Sequence, residues 1–271
     1  MGEPAAPTTH PSAADAAPDH ALALEGVTKS FGGFIAVNDV TLSFPAGAIY
    51  GIIGPNGAGK TTLFNLLSGF LKPTRGRLRH RGDDVTRLSP EAIARRGVVR
   101  SFQITSIFGN LTVAENLALP IQRRDGGGTG FLRRSAWRRR HGPRIDDILK
   151  RVHIPAEWRD RSANALPYGL KRSLELGISL AAEPDILLLD EPTAGMTARD
   201  IVKVTELIGQ IAEGRTVIVV EHNLGVIADL AQEIVVLQQG QLLTRGRYDD
   251  VRRDQRVIDA YLGTKGRHAH A

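Results

Sequence analysis

The chain has 271 residues, no cysteine and a formal net charge of +6, and this length suits one or two domains with a sizeable core. The absence of cysteine excludes disulfides, thiol catalysis and thiolate metal sites. No apolar run approaches the about 18 residues needed to span a bilayer, and no basic region followed by an apolar stretch marks a secretory signal. The sequence therefore predicts a protein that is soluble or bound to a membrane through a partner.

The two ends of the chain differ in composition from the rest. Residues 1–20 are mostly Ala, Pro, Ser and Thr, which predicts a disordered tail. We expect a last helix at 249–262 and a second tail at 264–271. Between the tails, residues 22–27 and 37–44 read as strands. Phe31 lies beside a Gly-Gly pair between them. Its ring could stack on a nucleotide base, or it could belong to a small satellite of the core.

A phosphate-binding loop is the clearest motif. Residues 54–62 read GPNGAGKTT and match the pattern G-x-x-x-x-G-K-[ST]. Glycines let backbone N–H groups curl around phosphate oxygens, the lysine meets the β- and γ-phosphates, and the threonine hydroxyl can ligand Mg²⁺. An apolar strand-like run precedes the loop and a helix-like run follows it. The predicted nucleotide-binding residues here are Gly54, Asn56, Gly57, Ala58, Gly59, Lys60, Thr61 and Thr62.

The middle of the chain, about residues 106–182, is predicted to be a helical subdomain. Ser89 before Pro90 indicates a helix start, and Thr112 with Glu115 has capping-box spacing. Arginines cluster between 123 and 144 around a Gly-rich linker. This cluster is either a solvated surface or a contact with anionic lipid headgroups or a partner at the membrane. Nucleic acid is disfavoured because aromatic residues for base stacking are nearly absent there.

Polar side chains follow three predicted strands. The apolar run at 186–189 ends in Asp190 and Glu191, the run at 216–220 is followed closely by His222, and a short strand at 98–102 ends at Gln103. Continuous apolar runs are typical of strands buried on both faces of a parallel sheet. In open α/β sheets, ligands bind at the carboxyl ends of the strands. We therefore expect these side chains at one edge of a mostly parallel sheet, together with the phosphate loop.

This set of side chains suits hydrolysis of a phosphoanhydride. Asp190 would hold Mg²⁺, usually through water, and Glu191 would act as general base on the attacking water. His222 would orient the γ-phosphate or that water. Lys60, Mg²⁺ and the loop amides would stabilise charge during transfer. Burying two adjacent carboxylates at this edge without a functional role would cost free energy.

These motifs resemble those of the nucleotide-binding subunits of ATP-binding cassette transporters. The resemblance covers about residues 22–263 and rests on Phe31, GPNGAGKTT, Gln103, LPYGLKR (166–172), ILLLDEP (186–192) and the VEH ending at His222. It implies a P-loop NTPase with a mostly parallel sheet, an antiparallel β subdomain and an inserted helical subdomain, forming one cassette over 21–263 that binds ATP and Mg²⁺.

The resemblance also implies how subunits cooperate. Two cassettes would sandwich two ATP molecules, so that Tyr168 and Gly169 of the signature motif contact the nucleotide of the partner. Gln103 would reach the metal and γ-phosphate and link them to the lobe that touches the membrane subunit. Closure on ATP and opening after hydrolysis would drive alternating access. Separate permease subunits and, indirectly, a substrate-binding protein would complete the transporter, with this chain at the cytoplasmic face of the membrane and no nucleic-acid partner.

A closer similarity is to the ATPases of branched-chain amino acid importers. It is carried by KSFGGFIAVNDV (29–40), VVRSFQ (98–103), EPTAGM (191–196) and VIDAYLG (257–263). The alternatives are the ATPase of a urea or short-amide importer, which shares much of this pattern, and that of a lipid or drug exporter, which shares less of it.

The signature motif departs from the usual LSGGQ of the family. Pro167 removes a serine hydroxyl and a backbone N–H, Leu170 replaces a polar glutamine, and Thr197 stands where an aspartate is usual. These positions act on ATP bound by the partner subunit. We therefore expect a heterodimer with a sister ATPase, in which the ATP site that uses this signature is the weaker one.

Overall fold

A computed structural model describes residues 20–101, 107–124 and 134–265. A six-stranded sheet has the order β10–β9–β3–β8–β7–β6, and it is parallel except for the β9–β10 pair. Its strands are β3 (Ile49–Ile53), β6 (Val98–Arg100), β7 (Ile186–Asp190), β8 (Thr216–Val220), β9 (Glu233–Gln238) and β10 (Gln241–Gly246).

A second, antiparallel sheet has the order β2–β1–β4–β5. Its strands are β1 (His20–Phe31), β2 (Phe34–Pro45), β4 (Arg75–His80) and β5 (Asp83–Asp84). The mostly parallel sheet and the antiparallel sheet confirm the predicted fold class.

Nine helices lie in the described part of the chain, with two 3-10 turns at Ala156–Trp158 and Ala163–Ala165. The helices are α1 (Lys60–Leu67), α2 (Pro90–Arg95), α3 (Val113–Arg124), α4 (Arg134–Arg151), α5 (Tyr168–Ala181), α6 (Ala198–Ile211), α7 (Leu224–Leu230), α8 (Tyr248–Val251) and α9 (Gln255–Lys265).

The six-stranded sheet separates two apolar cores. Along β7, Ile186 and Leu188 point into the core shared with the antiparallel sheet and α1. Leu187 and Leu189 point to the other face, into the core formed with α3 to α7. All five residues of β7 and of β8 are buried, because strands covered on both faces have no solvent side. Burial on both faces explains the continuous apolar runs that these strands have in the sequence.

Two predicted helix starts are confirmed in detail. The Ser89 side chain accepts a hydrogen bond from the Ala92 N–H at the start of α2. At the start of α3, the Thr112 N–H donates to Glu115 Oε2 over 2.9 Å, and the Glu115 N–H donates to Thr112 Oγ1 over 3.1 Å. This reciprocal pair is a capping box.

One predicted helix, at 249–262, is wrong, because the structure has two helices there, α8 and α9.

Gln103 and residues 1–19, 125–133 and 266–271 lie outside the described residues. Two arginines of the 123–144 cluster belong to the described residues and pair with Glu183, namely Arg124 and Arg144. In the part of the chain that the structure describes, no helix combines the length and apolar character required to cross a membrane.

Candidate active site

The phosphate loop follows β3 and is pressed between neighbouring backbones. Gly54 has φ +154°, and a Cβ there would collide with the carbonyl oxygen of Leu237. A Cβ on Gly59, at φ +97°, would lie 2.5 Å from the carbonyl oxygen of Ala36. A Cβ on Gly57 would meet nothing within 4 Å, so the mouth of the loop is open.

Lys60 folds back into this loop. Its Nζ donates to the carbonyl oxygens of Gly54 over 2.7 Å and Pro55 over 3.0 Å. Burial lowers the pKa of Lys60, and the nearby Glu191 opposes that shift. The N-terminus of α1 has neither a side-chain cap nor an acidic residue in its first turn. The loop therefore offers a cation and an uncompensated helix dipole to an anion such as a phosphate.

Asp190 ends β7 and is held by an arginine from β6. Its side chain is 3% exposed, and its Oδ2 accepts a hydrogen bond from Arg100 Nη2 over 2.7 Å. Burial raises the pKa of Asp190, and the Arg100 guanidinium opposes the increase. Arg100 also bonds Asn65 of α1, and its guanidinium carbon lies 4.9 Å from the ring centroid of Phe64.

Glu191 and His222 meet at the ends of adjacent strands. In the parallel β7–β8 pair, Asp190 is opposite Val220, and the Glu191 N–H donates to the Val220 carbonyl over 2.8 Å. His222 Nε2 lies 2.8 Å from Glu191 Oε1. The two side chains are 48% and 26% exposed, so solvent and a ligand can reach them. Glu191 has φ +44°, a strained conformation for a non-glycine residue that is often found at functional sites.

Several predicted site residues come together, and others do not. The loop, Asp190, Glu191 and His222 occupy the carboxyl edge of β3, β7 and β8, which are neighbours in the sheet. Phe31 ends β1, is 45% exposed and has Lys29 Nζ 5.0 Å from its ring centroid. It is therefore available to a ligand rather than enclosed in the core.

The signature residues belong to a different cluster. Tyr168 begins α5, is exposed, and donates its hydroxyl to the carbonyl of Ala194 over 3.2 Å. Gly169 follows it in the same first turn. One turn further along α5, Arg172 donates to the carbonyls of Pro192 over 2.9 Å and Glu191 over 3.1 Å. Their contacts are with the segment after β7, not with the phosphate loop.

Sequence reasoning missed four residues that support this site. Arg100 and Arg172 lie inside the motifs at 98–103 and 166–172, and Glu221 directly precedes His222. Tyr261 of α9 makes a hydrogen bond with the Gly54 backbone, and burial raises the pKa of its phenol. Each acts through a partner far away in the chain, so no local spacing marks it.

The residues present fit a Mg²⁺–nucleotide complex. Among the residues that the structure describes, no group of three or more His, Cys, Asp or Glu side chains could hold a metal ion by itself. Magnesium in nucleotide sites is bound by one or two protein oxygens with the substrate phosphates and water. The Thr61 hydroxyl at the exposed start of α1 and the Asp190 carboxylate supply that limited set.

Two family models match the chain. One described as "ABC transporter" matches residues 37–194, and one described as "Branched-chain amino acid ATP-binding cassette transporter" matches residues 241–266. The second match contains β10, α8 and α9.

Relatives match over most of their length. The high-affinity branched-chain amino acid transport ATP-binding protein LivG of Salmonella typhimurium is 39% identical over 249 residues, which cover 89% of this chain and 97% of that protein. The corresponding protein BraF of Pseudomonas aeruginosa is 37% identical with the same coverage. The lipopolysaccharide export system ATP-binding protein LptB of Escherichia coli is 32% identical over 243 residues, again with that coverage.

Solved structures share the fold. The ADP conformation of MJ1267, an ATP-binding cassette of an ABC transporter, is 30% identical with a TM-score of 0.76 and covers 90% of this chain and 99% of its own. A dimeric post-hydrolysis state of the cassette MJ0796 bound to ADP and Pi is 26% identical with a TM-score of 0.70, covering 84% and 98%.

Proposed function

The chain belongs to the ABC transporter family of ATPases, and we propose that it is the ATP-hydrolysing subunit of an importer for branched-chain or related amino acids. The observation that carries the catalytic part is the contact of Glu191 Oε1 with His222 Nε2 at 2.8 Å. This pair lies on the sheet edge that also holds the phosphate loop.

Each residue has a role that follows from its position. The loop amides and Lys60 bind the phosphates, and Phe31 stacks on the base. Glu191 accepts the proton of the water that attacks the γ-phosphorus, as the bond from that phosphorus to ADP breaks. His222 orients Glu191 and the transferred phosphoryl group. Gln103, which lies outside the described residues, would link the γ-phosphate site to the lobe that touches the membrane subunit.

Oxygen atoms of this chain would bind Mg²⁺ at this site. Thr61 would ligand the ion directly and Asp190 through water, while Gln103 is the third candidate. An ion held by these residues would neutralise negative charge on the phosphates. Arg100 donates a hydrogen bond to one oxygen of Asp190 and so restrains the carboxylate.

A second cassette completes each ATP site. Tyr168 and Gly169 sit in a cluster apart from this chain's own loop, which supports their action on the nucleotide of a partner, a sister ATPase in our proposal. The partners would also include permease subunits and, indirectly, a substrate-binding protein, and they would hold the chain at the cytoplasmic face of the membrane. The cassette would comprise residues 21–263, with 106–182 as its helical subdomain.

The catalytic proposal is tested by Glu191→Gln in the complex that copurifies with the chain. Glutamine keeps the shape of the side chain but cannot accept the proton. We expect MgATP binding to be retained and steady-state hydrolysis to be lost, whereas Glu206→Gln, the same change on the exposed side of α6, should leave turnover unaltered. Hydrolysis near the wild-type rate in E191Q would refute the base assignment.

The transported solute needs a separate assay. The match of residues 241–266 to the branched-chain amino acid model supports an importer of these solutes over an exporter. Reconstituted complex should take up radiolabelled leucine, isoleucine or valine when ATP is supplied. Uptake of urea or a short amide alone would overturn this substrate while leaving the ATPase proposal intact.

A further inference from the structure

Glu221 is a third carboxylate at the catalytic edge of the sheet, next to His222. It follows β8 directly, and 3% of the residue is exposed. Its Oε1 accepts hydrogen bonds from the Thr193 N–H over 2.9 Å and the Thr193 hydroxyl over 2.5 Å. Its Oε2 accepts from the N–H groups of His222 over 3.0 Å and Asn223 over 3.3 Å.

These four contacts join two separate segments. Thr193 lies two residues after Glu191, in the turn that leaves β7. His222 and Asn223 lie in the turn that leaves β8. One carboxylate oxygen therefore holds each turn, and the same two turns carry the two side chains that meet at 2.8 Å.

Glu221 is unsuited to the roles given to its neighbours. A carboxylate can accept about four hydrogen bonds, and Glu221 already accepts four. A general base needs a free oxygen facing the attacking water. Glu191, by contrast, is partly exposed, so water can reach its side chain. The two adjacent glutamates thus have different chemical environments, although they are alike in sequence.

We propose that Glu221 is the positioning residue of the catalytic pair, setting the separation and orientation of Glu191 and His222 by clamping the exits of β7 and β8. This inference rests on the proposed function of Glu191. It adds a residue that acts on the reaction without touching substrate. The buried clamp keeps the pair aligned while nucleotide enters and leaves.

The hydrogen bonds that Glu221 accepts determine which substitutions can test the proposal. In Glu221→Gln the amide has one acceptor oxygen and one donor NH₂, so only one of the two turns can be held. The N–H groups of the other turn then face the NH₂ group of the glutamine, which cannot accept a hydrogen bond. Thr193→Val removes only the hydroxyl donor and keeps the shape of the side chain, and Thr193→Ser keeps the donor.

The test compares binding with turnover in the full-length chain, assayed in the complex with which it copurifies. We expect E221Q to bind a fluorescent ATP analogue with Mg²⁺ within about threefold of the wild-type affinity. Its kcat should fall by about 10- to 100-fold, because small displacements of reacting groups carry losses of this size. T193V should show a smaller loss in kcat, and T193S should recover most of it. Glu206→Gln is the matched surface control.

Three outcomes would overturn the inference. The first is an unchanged kcat in E221Q. The second is a lower melting temperature with unchanged turnover per nucleotide-binding chain, which would mean that the four bonds only stabilise the fold. The third is additive losses in the double variant T193V/E221Q, since groups in one contact should show coupled effects. None of these depends on E191Q, whose continued hydrolysis would instead refute the proposed base.

Discussion

Replacing Arg100 with methionine should destabilise the protein strongly. The guanidinium forms an ion pair with Asp190 over 2.7 Å, and the two side chains are 12% and 3% exposed. It also lies against the rings of Phe64 and Phe70, at 4.9 and 5.5 Å from their centroids. Methionine keeps most of the apolar contact but leaves the buried carboxylate without its counter-charge.

The magnitude follows from the burial of this pair. Removing one partner of a buried ion pair costs about 3–5 kcal/mol, because an uncompensated charge remains. For a domain of this size, each kcal/mol lowers the melting temperature by about 2–4 °C. We therefore expect R100M to melt about 6–20 °C below the wild type. The double variant R100M/D190N should recover part of this loss, because it no longer buries a carboxylate.

Thermal unfolding without nucleotide or Mg²⁺ measures this effect. The matched control is Arg96→Met, because Arg96 pairs with Asp83 over 3.3 Å with both side chains largely exposed. Exposed pairs contribute at most about 1 kcal/mol, so R96M should shift the melting temperature by no more than about 4 °C. Equal shifts in R100M and R96M would refute the reasoning from burial.

Two further predictions concern other buried groups. Burial lowers the pKa of His80, whose Nε2 has no hydrogen-bond partner among the described residues. The unfolded chain therefore binds this proton first, and stability should fall as the pH drops below about 6.5. In melting curves from pH 7.5 to 5.5, H80F should weaken this fall, and the exposed-site control H153N should not. Tyr261→Phe removes the hydroxyl bonded to the Gly54 backbone. It should raise the Kd for MgATP about 2- to 10-fold, with an unchanged affinity counting against that contact.

Local signals in the sequence were sufficient for the starts of α2 and α3, and the error at 249–262 has a local cause. Asp254 Oδ1 accepts the Arg256 N–H over 2.9 Å, as an N-cap side chain does at the start of a helix. Asp254 therefore ends the continuity between α8 and α9. Aspartate at this position is a recognisable helix start, and it marks the boundary between the two helices.

The residues proposed to react could be selected from the sequence because they follow strands with a strong apolar signal. Lys60 lies in a fixed motif, and Glu191 and His222 end two buried runs. Their supporting residues were not predictable in this way. Arg100 contacts Asp190 across 90 positions of the chain, and Glu221 contacts Thr193 across 28. Such contacts depend on which strands become neighbours, and this order is a property of the folded sheet.

Pro167 and Thr197 depart from the residues usual around the signature motif, and each lies at the start of a helix. Thr197 caps α6: its hydroxyl donates to Asp200 Oδ2 over 2.7 Å and its side chain accepts from the Asp200 N–H. Threonine and aspartate are both good caps, so this replacement leaves the helix start intact. Pro167 precedes α5 and provides no side-chain cap, where serine could have supplied one. The fold therefore accommodates both changes, so in the proposed dimer their effect would fall on what residues 167–170 and Thr197 offer to the nucleotide of the partner.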